Sequence, residues 1–264
     1  GRSYTGLSKL SRMSAEVRVW QVDENKPTEV RREPLDFENR LEEWLKKDIS
    51  MLDASLLVIG SQVQATGGPI DLLCIDADGD LTIVELKKGR TPRQVTAQAL
   101  DYASWVAGLS KDEVAEVGDA YLGDGLEEAF MRRFGDELPE TVNADHRILV
   151  VGSAIDSSTE RILGYLSGSH GVNINAATFH YFKPDDGPEL LARVFVLEPS
   201  EVEEKSRSRS KRQPKLTYAQ LSELADQAGV GDLYEQAVNA LEGVLKRKRT
   251  RSSIGFKWRF DRGG

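Results

Sequence analysis

The chain has 264 residues, of which 39% are hydrophobic and 30% charged, and its net charge is −8. This composition is that of a soluble globular protein, large enough for one medium domain with an appendage or for two small domains. No apolar run approaches the roughly 20 residues of a bilayer crossing, the N-terminus lacks the apolar core of a secretory signal, and a lone Cys74 rules out a disulfide framework. A cytoplasmic protein without a membrane partner is therefore expected.

The charge is unevenly spread. Residues 201–264 hold 14 Lys and Arg against 9 Asp and Glu, whereas the preceding body holds 21 against 34. An acidic body with a basic tail permits a polyanion partner at the tail, although exposed tails are also charged for solubility alone.

In chain order, residues 1–13 read as tag-like or disordered. The stretch EVRVWQVD alternates and predicts a short strand, and residues 35–49 (LDFENRLEEWLKKDI) predict an amphipathic helix. Three strands are expected next: SLLVIGSQVQ (55–64), PIDLLCID (69–76) and LTIVELK (81–87). The turn DADGD at 76–80 makes the last two a hairpin. Thr91-Pro92 predicts a helix start, with the helix running to about Leu109. HRILVVGS (146–153) reads as a buried strand and 157–168 as a helix. VNINAATFHYF (172–182) and LLARVFVLE (190–198) read as strands. Residues 201–215, almost without apolar side chains, predict a charged linker. Residues 216–245 predict helix, broken at Gly229–Gly231, before the basic run KRKRTR (246–251) and a final strand of unknown partner. The fold class expected is α/β with a mixed central sheet, as one domain over 14–200 and a small helical segment with a basic tail over 216–264.

Several polar residues fall inside apolar stripes. At about 100° per residue, Phe37, Leu41, Trp44, Leu45 and Ile49 share one side of the first helix. Glu38 lies within that stripe, and Glu42 and Glu43 lie outside it. In PIDLLCID, alternation puts Ile70, Leu72 and Cys74 on one face and Asp71, Leu73 and Ile75 on the other. In LTIVELK, Leu81, Ile83, Glu85 and Lys87 share a face. The hairpin brings Asp71, at the start of one strand, beside Glu85 and Lys87, at the end of the next. In the second helix, Gln98 and Tyr102 are four apart and both face inward.

A carboxylate, a lysine or a glutamine on a dry face needs a partner. A single shared polar site supplies one for all of them. Its carboxylate oxygens suit a hard cation such as Mg²⁺ or Mn²⁺. The three histidines, His146, His170 and His180, show no spacing suited to zinc. Two carboxylates holding a divalent cation beside a lysine match phosphodiester hydrolysis.

The ordered set Asp71, then Glu85-x-Lys87, resembles the PD-(D/E)XK nuclease signature, with Pro69-Ile70-Asp71 as a loose form of its "PD". Gln98-Ala-Leu-Asp-Tyr102 is similar to the QxxxY helix of the RecB-like branch. With Glu38, the spacing resembles the C-terminal nuclease domain of the NucS/EndoMS endonucleases, most closely over residues 35–110 and extending toward 200. The resemblance implies a restriction-endonuclease-like core and an Mg²⁺- or Mn²⁺-dependent deoxyribonuclease, an endonuclease in repair, restriction or defence. It implies that Asp71, Glu85 and the Leu86 carbonyl ligate the metal, and that Glu38 binds through water or a second ion. It implies that Lys87 serves the attacking water, Gln98 orients the site and Tyr102 supports it.

DNA is the expected partner, with Lys88, Arg90 and Arg93 near the site, and Lys246, Arg247, Lys248, Arg249 and Arg251 in the tail, contacting its phosphates. A homodimer is compatible with the resemblance. The mismatch-cleaving members carry a sizeable N-terminal DNA-binding domain, whereas about 20 residues lie between Met13 and the first helix, so mismatch specificity and that family's dimer arrangement are not carried over. A non-catalytic nucleic-acid-binding module on the same fold and a structure-specific RNA nuclease are the alternatives.

Overall fold

The computed structural model describes residues 16–34, 37–91, 94–208, 218–242, 245–248 and 255–258. The side chains of 37–39, 88–91, 242, 245–248 and 255–258 lie outside that description, as do the residues read as a tag or as disordered. The chain forms two compact units, one within 1–209 and one within 210–264.

The first unit begins with a hairpin, β1 (Val19–Asp23) and β2 (Lys26–Val30), and a two-residue strand, β3 (Arg32–Glu33). Helix α1 (Phe37–Lys47) leads into the meander β4 (Leu56–Ala65), β5 (Gly68–Asp76) and β6 (Leu81–Thr91). Then come α2 (Gln94–Val106), α3 (Lys111–Tyr121), α4 (Leu126–Phe134), β7 (His146–Ile155), α5 (Ser157–His170), β8 (Ile174–Phe182), β9 (Leu190–Phe195) and α6 (Pro199–Arg207). Seven strands form one sheet in the order β3-β8-β7-β6-β5-β4, with β9 also paired to β8. Strands β4, β5 and β6 are antiparallel, whereas β6, β7 and β8 run parallel. The sheet is therefore mixed and the fold is α/β.

Both faces of the sheet are buried. On one, Leu41 and Leu45 of α1 pack with Leu72, Cys74, Val84 and Leu86. On the other, Val95, Ala99, Tyr102 and Val106 of α2, with Val114, Phe130 and Leu163 from the following helices, pack on Leu73, Ile75, Leu81 and Ile83. Burial pushes the Cys74 thiol up to about 12, so it behaves as a small apolar side chain and not as a nucleophile.

Four features depart from the expected pattern. Helices α3 and α4 fill a stretch for which no element was predicted. Strand β6 runs on to Thr91, past its expected end at Lys87, and α2 begins only at Gln94. The expected linker does not begin at 201, because α6 takes its first seven residues and buries Val202 and Ser206. In β5, Ile70 packs with Leu73 and Ile75 and not with Leu72 and Cys74, so strict alternation fails at Asp71.

The second unit holds α7 (Tyr218–Gln227) and α8 (Gly231–Glu242), which meet through Leu221, Ala225, Tyr234 and Val238. The break expected at Gly229–Gly231 separates them. Strand β10 (Leu245–Lys248) pairs antiparallel with β11 (Gly255–Trp258). The final strand thus finds its partner in the first half of the run read as a basic tail. Among the described residues no helix is long and apolar enough to cross a membrane.

The β5–β6 turn contains a mismatched charge. Asp76 Oδ1 accepts the backbone N–H groups of Asp78 at 2.9 Å and Asp80 at 3.0 Å. Burial nevertheless pushes its carboxyl up to about 6, and the charges of Asp80 and Asp78 add to the rise. A carboxyl raised in the fold binds more protons there than in the unfolded chain. Stability therefore falls as pH rises from the unfolded value toward 6 and stays low above it. Asp76→Asn keeps the acceptor and removes the charge. It is expected to raise stability at pH 7.5 by on the order of 1–3 kcal/mol, with the gain vanishing near pH 4. Urea unfolding of both proteins at the two pH values checks this, and an equal or lower stability of the variant at pH 7.5 would contradict it.

Candidate active site

The ladder between β5 and β6 ends at Leu72↔Val84. One step further stand Asp71 and Glu85, where side chains take over from the backbone. Asp71 Oδ2 accepts the Leu86 N–H at 2.7 Å. Its other oxygen, Oδ1, accepts the Gln62 side-chain amide at 3.0 Å. Burial raises the Asp71 carboxyl above the ordinary carboxylate range. The Leu86 N–H, the Gln62 amide and the Lys87 charge pull it down, and the Glu42 charge pushes it up.

The Glu85 side chain is 2% exposed, and its Oε1 lies 2.7 Å from Lys87 Nζ, whose side chain is 27% exposed. Alternation along β6 sends Val84 and Leu86 into the α1 side of the sheet and Glu85 to the opposite side, with α2. The pair is thus a buried carboxylate joined to a lysine that reaches the surface.

Helix α2 braces this corner. Gln98 Nε2 donates to the Tyr102 oxygen at 2.8 Å, and Tyr102 donates its O–H to the Pro69 carbonyl at 2.9 Å. Tyr102 thereby ties α2 to the strand that carries Asp71. Burial raises the Tyr102 hydroxyl; the Gln98 amide pulls it back, and Glu85, Lys87 and Asp71 all act on it electrostatically. The β4–β5 turn comes close enough to α2 to require glycine. Gly68 has φ +124°, and a Cβ there would also lie 3.3 Å from the Tyr102 hydroxyl oxygen.

The structure therefore brings Asp71, Glu85, Lys87, Gln98 and Tyr102 to one corner of the sheet. The side chain of Glu38 on α1 lies outside the described residues, as do those of Lys88, Arg90, Lys246, Arg247 and Lys248. Arg93, Arg249 and Arg251 lie wholly outside them. Two participants were not singled out from the sequence. Glu42, with its side chain 17% exposed, accepts from Lys46 at 2.8 Å and from Gln62 at 3.4 Å. On the helical wheel it falls at about 140°, just past Ile49, so the stripe extends one position further than expected. Gln62 gives no sequence signal, because it lies in a strand of alternating pattern and its role comes from its backbone conformation.

The donor set fits a hard divalent cation. Asp71, Glu85 and the Leu86 carbonyl offer oxygen only. Among the described residues no three His, Cys, Asp or Glu side chains are gathered as a cage. The protein's share is then two carboxylates and a backbone oxygen, which is what Mg²⁺ ordinarily takes from a protein while keeping several waters.

The geometry defines an α/β domain with a polar, acid-lined corner at the end of its central hairpin. Residues 37–122 match the family model described as the endonuclease NucS C-terminal domain, which is less than half of the chain. The stretch that builds the corner is thus similar to that endonuclease domain. Among solved structures it is similar to EndoMS in a complex with double-stranded DNA, at 16% identity and a TM-score of 0.32 over 55% of this chain and 46% of that one. It is also similar to a repair endonuclease from Pyrococcus abyssi, at 12% identity and a TM-score of 0.29 over 54% of this chain and 47% of that one. The chain spans just under half the length of either protein. No curated protein matches it.

Removing one member of the buried pair tests its energetics. Lys87→Met leaves Glu85 without its lysine and is expected to lower stability by on the order of 1–3 kcal/mol, discounted for the partial exposure of Lys87. Adding Glu85→Gln to that variant removes the stranded charge and should recover most of the loss. Equilibrium urea unfolding of the three proteins measures this. A Lys87→Met variant as stable as the parent would show that Glu85 is compensated by something else.

Proposed function

We propose that this domain hydrolyses phosphodiester bonds in DNA with the help of Mg²⁺ or Mn²⁺, cutting within the strand. The observation that carries the reading is the Glu85–Lys87 pair at 2.7 Å, with Glu85 buried where the β5–β6 ladder ends, beside an Asp71 fixed by the Leu86 N–H. A fold stabilised only by its core has no use for a carboxylate at that position, since an apolar side chain of similar volume serves at least as well. The match of residues 37–122 to an endonuclease domain supports the same reading.

Asp71, Glu85 and the Leu86 carbonyl are the residues that would hold the cation. When bound, the cation polarises a phosphoryl oxygen and makes water a better nucleophile at neutral pH. Lys87, held by Glu85, presents its ammonium from the same face of β6, where it orients the attacking water and offsets charge developing on the phosphoryl oxygens. Gln98 and Tyr102 keep the start of β5 in place. Glu38, one helical turn before Glu42, is proposed to reach the site through water or a second ion. Lys88, Arg90 and Arg93, which follow Lys87 in the sequence, and the basic residues 246–251 are proposed to contact the sugar–phosphate backbone without reading sequence.

The test is incubation with supercoiled plasmid, single-stranded DNA and RNA, in Mn²⁺ and in EDTA. The parent protein is expected to nick plasmid only with the metal. Asp71→Ala, Glu85→Ala and Lys87→Ala should each lower the rate by at least about a thousandfold with unchanged circular dichroism. Full cleavage by Asp71→Ala would overturn the assignment of the site. Binding of DNA without cutting under any condition would favour a binding module, and cutting of RNA alone would move the substrate class.

A further inference from the structure

We infer that Gln62 is the positioning residue that sets the Asp71 carboxylate for metal binding, an inference that rests on the reading of Asp71 as a metal ligand. Three observations on β4 and β5 carry it.

The first is conformational. Gln62 has φ +53°, in the left-handed region that residues other than glycine rarely occupy. It sits in the middle of a strand, with regular pairing at Ser61↔Leu72 and Val63↔Ile70 on either side and none between Gln62 and Asp71. Backbone of this kind costs on the order of 1 kcal/mol, and nothing in the surrounding ladder requires it, since antiparallel pairing proceeds without it.

The second is what the strain achieves. Gln62 stands across from Asp71, where the alternation of β5 fails: Ile70 packs on one side of the sheet with Leu73, and Leu72 on the other. The same irregular step that turns Gln62 toward Asp71 frees Asp71 from the ladder, so that its side chain reaches the Leu86 N–H.

The third is chemical. The Gln62 amide nitrogen lies 3.0 Å from Asp71 Oδ1 and 3.4 Å from Glu42 Oε1. Ionised carboxylates accept and do not donate, so only the NH₂ end of the amide can face both. One amide with two hydrogens spans two like charges, and behind it Lys46 holds Glu42 at 2.8 Å. With Leu86 N–H on Oδ2 and Gln62 on Oδ1, both Asp71 oxygens are held by donors, and each keeps a lone pair for a cation. Groups that orient a ligand in this way typically contribute 10–100-fold in metal affinity.

The experiment compares direct Mn²⁺ binding, by electron paramagnetic resonance of free Mn²⁺ and by calorimetry, for the parent, Gln62→Met, Gln62→Gly and Asp71→Ala. Methionine keeps the length and the backbone strain but removes the donor. Glycine removes the donor and relaxes the strain. Asp71→Ala is expected to abolish tight binding, and both Gln62 variants to weaken it about tenfold. The melting temperature of Gln62→Gly should stay level or rise, so lost affinity cannot be put down to unfolding. Parent-like Mn²⁺ affinity in both Gln62 variants, with binding lost in Asp71→Ala, would overturn the role of Gln62 and leave the metal site standing. Parent-like affinity in Asp71→Ala would overturn the metal site itself, and the inference with it.

Discussion

A carboxylate taken out of water must be compensated, and in this fold that requirement falls on Glu85. Its side chain is almost wholly buried in the middle of a strand whose neighbouring residues, Leu81, Ile83, Val84 and Leu86, build the two cores. Lys87 can serve it because two residues along a strand return to the same face. Asp71 places a second carboxylate beside Glu85, and the Leu86 N–H and the Gln62 amide stabilise that carboxylate's ionised form. The corner therefore concentrates acidic charge that the core does not need, at a place the core makes rigid. Under the proposed function, such a site gives up stability for the ability to take a cation.

The backbone reaches that arrangement through local irregularities on otherwise ordinary elements. A left-handed glutamine breaks the β4–β5 ladder opposite Asp71. Gly68, at φ +124°, lets the β4–β5 turn approach Tyr102 of α2. Tyr102 reaches across to the Pro69 carbonyl and fixes the distance between helix and strand. Each irregularity lies within a few residues of the acidic corner, whereas the parallel half of the sheet, β6 through β8, follows regular register until β6 bulges after Lys87.

Much of this was legible in the sequence, for identifiable reasons. The meander β4–β5–β6 shows itself through its apolar runs and the DADGD turn, and the juxtaposition of Asp71 with Glu85 and Lys87 follows from pairing two strands across that turn. Gln98 and Tyr102 could be placed together because residues four apart in a helix are neighbours. What escaped has equally definite causes. Helix α3 begins with Ser110 and Glu113, which form a capping box visible in the sequence, yet its apolar stripe is short, with only Val114 and Gly118 buried. Helix α6 looks like a linker because Val202 is its one buried apolar side chain. The pairing of β10 with β11 joins a charged run to a short strand that begins seven residues after it ends, and no periodicity reports such a partner. Gln62 acts through a φ angle, which composition and alternation do not encode, and Glu42 sat one wheel position beyond the stripe drawn for it.

The account turns on a cation lying between Asp71 and Glu85. The most direct measurement is an anomalous-scattering difference map from crystals of this protein soaked in Mn²⁺. The account predicts one dominant peak within coordination distance of Asp71, Glu85 and the Leu86 carbonyl, and its disappearance in Asp71→Ala crystals. A fully occupied Mn²⁺ elsewhere in the domain, with this corner unliganded and Glu85 still paired to Lys87, would contradict it.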